Sequence, residues 1–247
     1  MNFSNVCSFA MFGAAVLAST GVLSAKPLDV AMETREKVSK GVGHLRGQEF
    51  LTSLKTNGYE VSDFTTAELL EGFRLALEEK DAGVSQEDFQ VAMNLMQAKL
   101  QERELGLAKK NRASSAEWLS ENGKKEGVET TESGLQYEVV KKGEGEVFSK
   151  LSEEEQEKVE AFLIRYQSAN KDGVVFERSP EDQLVAVKDK LLPGLAEAVR
   201  AMPAGSVWKL YLHPDLGYGN RRVGAAMEPG SVVVLEVFLA ETSKAKK

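Results

Sequence analysis

Cysteine is almost missing from this chain. Of 247 residues one is a cysteine, Cys7, and only two are histidines. Charge is missing altogether from Met1 to Ala25, where Phe9 to Leu23 is rich in Ala, Val, Leu, Met and Phe. That segment predicts a secretory signal over 1–25, cut between Ala25 and Lys26, although its start holds no Lys or Arg. The alternative is a retained membrane anchor, for which the apolar run is short. Cys7 lies too early for lipid attachment at a cleavage point. A chain beginning at Lys26 therefore has no thiol, which excludes disulfides, a cysteine nucleophile and thiolate metal sites and suits an oxidising compartment. A basic excess is missing as well. Thirty-one Lys and Arg against 38 Asp and Glu give a formal net charge of -7, which argues against nucleic-acid binding. What remains, 42% apolar and 28% charged, is the composition of a soluble, folded protein with room for two modest cores.

The N-terminal arm reads as helical. Val38, Val42, Leu45, Leu51 and Leu54 recur at helical spacing from about Glu33. Gly43 and Gly47, four apart, suit either the close approach of another backbone, such as a second copy of the helix, or a bent and frayed helix. Asn57 and Gly58 mark a break. A second helix is expected over about Thr65 to Glu79, with Leu69, Phe73, Leu75 and Leu77 as its apolar residues. Ser85 and Asp88 then resemble a helix cap and its partner. Phe89, Ala92, Met93, Met96 and Leu100 trace a stripe on a long third helix, with Leu107 extending it. The methionines suit core or dimer packing, or a soft binding groove. Beyond Leu100 the composition turns to Gln, Glu, Arg and Lys, so the helix is expected to run exposed as a connector. Three such helices make a weak bundle alone, and pairing about a two-fold axis would bury the remaining stripe.

The C-terminal part reads as strands around one short helix. Alternation starts at Gly134, where Leu135, Tyr137 and Val139 share a face. Strands are expected at Glu160 to Tyr166, Val174 to Phe176, Ser206 to Leu212 and Ser231 to Leu239. Leu195, Val199 and Met202 give a helix after Pro193 and Gly194. The run Glu153, Glu154, Glu155, Glu157 and Glu160 lacks the alternation of a calcium loop and reads as a short surface helix or acidic loop.

These segments resemble the FKBP-type peptidyl-prolyl isomerases, in particular the exported two-domain group of macrophage infectivity potentiators and FkpA-like proteins. The resemblance is carried by Gly127 to Tyr137, Asp172-Gly173-Val174-Val175-Phe176, Leu191-Leu192-Pro193-Gly194, Tyr211 to Gly219 and Glu228-Pro229-Gly230-Ser231, with Gly43, Gly47 and Gly72 in the arm. It runs from about residue 30 to 240. It implies an α+β chain: an all-helical dimerisation domain and a long connector helix, then a bent antiparallel sheet wrapped around a short helix. The expected division is 1–25 signal, 26–106 helical domain, 107–128 connector helix and hinge, 129–241 isomerase-like domain and 242–247 basic tail. The implied partners are unfolded or proline-containing polypeptides and a second copy of the chain, with no nucleic acid and no metal. The implied location is the periplasm of a Gram-negative bacterium or another exported site.

The implied reaction is rotation about X-Pro bonds. Breaking amide resonance faces about 18–20 kcal/mol, and a dry apolar pocket lowers this by favouring the twisted amide without nucleophile, base, metal or other cofactor. By motif position Tyr166 and Phe176 line the proline pocket. Leu191 and Leu192 form its rim, with the Leu192 N–H donating to a substrate carbonyl. Tyr218 offers its hydroxyl, and Met227 and Leu235 complete the wall. Several positions depart from the family pattern. Leu195 stands where a Trp forms the floor, Glu177 where an Asp follows the pocket Phe, and Leu235 where a Phe is usual. Arg165, Gln167 and Ser168 replace a His and a Thr-Gly, and Arg178 to Lys190 lacks a clear Phe-bearing strand, offering Leu184, Val185 and Val187. Weak isomerase activity and poor affinity for the family's macrolide inhibitors are expected. A chaperone or peptide-binding module with a degenerate site, and a purely structural envelope protein, are the competing readings.

Overall fold

The computed structural model describes residues 28–180, 184–187 and 191–244. The expected signal with Cys7, and the last three residues of the basic tail, lie outside the described residues. The chain divides into two compact units, 1–44 and 45–247.

In the first unit the chain enters helix α1, Met32–Thr56, which continues into the second. Arg35 donates to the Leu28 carbonyl at 2.9 Å, and Glu33 sits in the first turn, where a negative charge suits the helix dipole. Val38 and Val42 are 58% and 51% exposed. Nothing lies within 4 Å of the place a Cβ would take on Gly41 or Gly43. The helix is where its periodicity predicts, but its apolar stripe is open to solvent.

The second unit begins with the end of α1, where Phe50 meets Phe73 of α2 (Thr66–Leu77) edge-on at 5.4 Å. Much of α2 remains exposed, with Leu70 at 63% and Leu77 at 88%. Helix α3, Gln86–Asn122, is 37 residues long, about 55 Å of rise. Its Ser85 cap accepts from the Asp88 N–H at 3.0 Å, as the sequence predicts. Arg103 grips Asp63 with two bonds of 2.7 and 2.9 Å and reaches the Gly58 carbonyl at 2.6 Å. The turn after α1 is thereby fastened to α3.

Past Leu100 the helix does not run wholly exposed as expected, since one of its faces is buried. Ala108, Ser115, Leu119 and Asn122 are buried, at the three- and four-residue spacing of a single face. Apart from Leu119 that face is composed of small and polar groups, so a search for apolar periodicity passes over it. Leu119 packs with Tyr211 and Val232, with Trp118 beside them. Asn122 donates to Gln136 Oε1 at 3.0 Å, and Gln136 donates to the Leu119 carbonyl at 2.8 Å. A buried amide on a sheet is tolerable only because the helix end supplies both partners.

Among the described residues the sheet has seven strands: β1 Val128–Thr130, β2 Gln136–Lys141, β3 Val159–Asn170, β4 Val175–Arg178, β5 Val185–Val187, β6 Val207–Leu212 and β7 Val233–Lys244. Their order is β1-β2-β6-β7-β3-β4, with β5 also on β3, and the paired neighbours are antiparallel. The central strands β3 and β7 run twelve residues each. Register shifts in their pairing at Val159/Ala161 and Leu163/Ile164 are the irregularities that bend a sheet. One end of β3 holds β4 and the other holds β5. The segment expected to lack a Phe-bearing strand contributes a short one made of Val185, Ala186 and Val187. Helix α4, Glu153–Glu157, is the short surface helix allowed for the acidic run, closed by a Ser152–Glu155 capping box.

Helix α5, Pro193–Ala201, starts on Pro at its first position, where no N–H is needed. It buries Leu195, Ala198 and Val199, and Met202 after them, against Leu210, Leu235 and Val237 of the sheet. Each large side chain so buried contributes ~1.5–3 kcal/mol. Alternation along β6 sends Trp208, Leu210 and Leu212 to the α5 side and Tyr211 to the α3 side. The sheet is therefore covered on both faces, by α5 on one and by the end of α3 on the other.

Candidate active site

Strand periodicity sets up the hollow. Ile164, Tyr166 and Ser168, at i, i+2 and i+4 of β3, face one way and line a cavity of about 310 Å³. Val187 of β5 and Leu235 of β7 join them, while Leu191, Leu192 and Leu195 enter from the start of α5. Glu177 of β4 and Tyr218 and Arg221, from the loop after β6, form the mouth. The volume sits at the small end of the range for ligand sites. Among the described residues, no group of three or more His, Cys, Asp or Glu is arranged to hold a metal ion.

Tyr166 is fixed by its backbone as well as its strand. Its N–H donates to Ser179 Oγ at 3.1 Å, and the Ser179 N–H donates to its carbonyl at 2.9 Å. Its hydroxyl donates to Glu177 Oε1 at 3.0 Å, and the Tyr218 hydroxyl donates to Oε2 of the same carboxylate at 2.9 Å. One glutamate thus holds both tyrosine hydroxyls at the mouth. Burial first, and then the bond to Glu177, holds the Tyr166 hydroxyl above its usual pKa. The Tyr218 hydroxyl is held well above its own for the same reasons in the same order, with the nearby Ser168 hydroxyl working the other way. Both tyrosines are therefore fixed as hydrogen-bond donors.

Seven of the nine residues singled out from the sequence line the hollow together: Tyr166, Glu177, Leu191, Leu192, Leu195, Tyr218 and Leu235. Phe176 does not line it; it is half-buried and backs the Tyr218 ring, centroids 6.0 Å apart. Met227 is not among the lining residues and belongs to the core. It is 1% exposed, and its carbonyl accepts from the Val223 N–H at 3.0 Å to close a small hairpin in the loop. Leu192 caps α5, its carbonyl accepting from the Ala196 N–H at 2.9 Å. Leu195 supplies a floor without filling the space. Arg165, on the opposite side of β3, lays its guanidinium over the Phe238 ring at 5.0 Å.

Ile164, Ser168, Val187 and Arg221 are the lining residues that sequence reasoning did not assign. Alternation with Tyr166 carries the signal for Ile164 and Ser168; nothing local marks Arg221. Ser168 is 1% exposed, and among the described residues its Oγ has no hydrogen-bond partner of full geometry.

Comparison with known proteins gives the same outline. Residues 35–139 match a family model described as the domain amino terminal to FKBP-type peptidyl-prolyl isomerase, and residues 152–240 match the FKBP-type peptidyl-prolyl cis-trans isomerase model. The FKBP-type 22 kDa peptidyl-prolyl cis-trans isomerase of Escherichia coli is 37% identical over 134 residues, which span 52% of this chain and 60% of that protein. The peptidyl-prolyl cis-trans isomerase Mip of Chlamydia muridarum is 30% identical over 220 residues, 87% of this chain and 82% of the relative. The crystal structure of FkpA from Escherichia coli matches with a TM-score of 0.55 at 23% identity, over 87% of this chain and 99% of that one, a likeness of fold.

Proposed function

This chain belongs to the FKBP-type peptidyl-prolyl cis-trans isomerases, and from that membership we propose that it catalyses X-Pro rotation in the hollow beneath Tyr218. The observation that carries the reading is an open cavity where a plugged one would end it. Leu195 forms a floor, Met227 lies in the core and Arg165 turns to the other face. A prolyl ring enters between Leu192, Leu195 and Leu235 and sheds its water. In that apolar surround the twisted amide, less charge-separated than the planar one, is favoured relative to its state in water. The Leu192 N–H holds a substrate carbonyl. The Tyr218 hydroxyl leaves Glu177 to donate to the substrate, so Glu177 competes with the peptide for the same proton. That competition, together with a leucine floor in place of a flat indole, supports a weak enzyme. A protease-coupled assay on an X-Pro tetrapeptide tests the reading; a rate equal to the spontaneous one refutes it.

We further propose that the chain is exported, on the strength of its uncharged opening segment, and that it pairs with a second copy. Among the described residues no helix is long and apolar enough to cross a membrane. Exposed Val38, Val42, Leu70, Phe73 and Phe89 on α1 to α3 support the pairing, since helices with open apolar faces gain stability by covering them. Light scattering of the full chain tests it, and a monomer at micromolar concentration refutes it.

A further inference from the structure

The loop from His213 to Gly230 turns Tyr218 and Arg221 toward the hollow and its other side toward α3. Arg222, next to Arg221, donates from Nε and Nη2 to the two carboxylate oxygens of Glu104, each at 2.9 Å. Both side chains are mostly buried, 16% and 18% exposed. Further along the same helical face, Arg112 donates to Asn220 Oδ1 at 2.9 Å and pairs with Asp215 at 2.7 Å. Asn111 donates to the Pro229 carbonyl and to Glu228, both at 3.0 Å. Ser115 donates to the Gly230 carbonyl at 3.0 Å. The loop closes on itself through the Val223–Met227 bridge and the Gly230 N–H bond to the Gly219 carbonyl at 2.9 Å, but Gly219, Gly224 and Gly230 all adopt positive φ, from 59° to 73°, and glycine backbone is the most expensive to order. The Ala226 carbonyl is held by Asn170 of β3 at 3.1 Å, and the side-chain ties from Asp215, Asn220, Arg222 and Glu228, with the Pro229 and Gly230 carbonyls, go to one face of α3.

We infer that α3 is part of the isomerase machinery, with Glu104 and Arg222 as positioning residues that hold the Tyr218 loop against the hollow. Neither touches the substrate; they act through the backbone between Arg222 and Tyr218. An exposed ion pair would contribute almost nothing. A half-desolvated bidentate pair differs, because removing one partner strands the other charge. Released from the helix, the loop spends part of its time away from the hollow, and the substrate binds only the fraction with Tyr218 in place. Apparent affinity then falls by that fraction, while saturating substrate restores the assembled site. The signature is a raised KM with kcat preserved.

The inference rests on the isomerase reading, so its test has a second readout. In the full chain, Glu104→Gln and Arg222→Gln are compared with the reversed pair, Glu104→Arg with Arg222→Glu. Glu102→Gln serves as control, since its exposed partner Lys99 lies on the same helix away from the loop. The single variants are expected to raise KM about tenfold with kcat within about twofold and to speed hydrogen exchange of the 217–228 amides; the reversed pair restores both. A KM that does not move, a loss confined to kcat, or no rescue by the reversed pair overturns the positioning role. An unaltered chain without activity refutes the proposed function instead, and the amide exchange then decides the clamp, unchanged rates overturning it.

Discussion

Replacing Glu177 by Gln should make this protein a better isomerase. The carboxylate receives two hydroxyls, from Tyr166 at 3.0 Å and Tyr218 at 2.9 Å. Hydrogen bonds to a charged acceptor contribute about 1.5–3 kcal/mol and neutral ones about 0.5–1.5 kcal/mol, so neutralising the acceptor weakens each by ~1 kcal/mol. Glu177 is exposed, which keeps the difference at the low end because water screens the charge. Moving the Tyr218 hydroxyl onto a substrate carbonyl is then easier by ~1 kcal/mol, a gain of about fivefold in kcat/KM. The protease-coupled assay reads that gain directly. Adding Tyr218→Phe to the Gln variant should abolish it, leaving the double variant no better than Tyr218→Phe alone. Absorbance titration of tyrosinate gives an independent check. With the charge gone, the Tyr218 titration moves toward the ordinary tyrosine value but does not reach it, since burial is the larger cause of its rise. A Gln variant with equal or lower kcat/KM, or a gain that survives Tyr218→Phe, refutes the competition between Glu177 and substrate.

Three further outcomes follow from the geometry. Ser168→Ala removes a buried hydroxyl that lacks a full hydrogen bond, and urea denaturation should show it neutral or stabilised by ~1 kcal/mol; a clear loss would show that the hydroxyl is paired. Gly230→Ala would set a Cβ 2.4 Å from the Ala108 carbonyl oxygen at φ +73°, and a loss of at least ~2 kcal/mol in the same measurement is expected from the clash and backbone strain. Tyr137 and Tyr211 are both pushed up to about 12, Tyr137 first by its bond to Glu129 and then by burial, Tyr211 first by burial and then by its bond to Glu138. Their folded values exceed the unfolded one of about 10, so their contribution is fully present below about pH 10 and is lost as pH rises toward about 12. Denaturation midpoints across that window should fall for the unaltered chain and fall less for Tyr137→Phe.

The sequence made the fold legible where one signal dominated. Ser85 before the α3 stripe, Pro193 before α5 and the near-continuous apolar run of β7 each predict an element that is present. Tyr166, Tyr218 and the Leu191-Leu192-Pro193-Gly194 motif, given roles by the family resemblance, lie together at the hollow. The errors share a physical origin. Met227, a wall residue by family motif, is buried in the core beside the small hairpin that its carbonyl closes with Val223. The second half of α3 reads as solvent-facing because Glu104, Asn111, Arg112 and Ser115 are polar, and composition alone does not tell polar groups that meet water from those that meet a loop. Gln136 carries the same ambiguity on a strand. That Glu177 accepts from both Tyr166 and Tyr218 depends on where β3, β4 and the loop after β6 meet, which no pattern of residue types conveys.

Cutting this protein at Glu129, the natural place to start its β domain, would strip Leu119 and Trp118 from Tyr211 and Val232 and leave the Gln136 amide without its two partners. Such a fragment would carry a bare greasy sheet face and would be prone to clump whatever the state of its catalytic hollow. The smallest dependable catalytic piece therefore starts upstream of Glu104, and a shorter one that proved inactive would say little about the chemistry of the pocket.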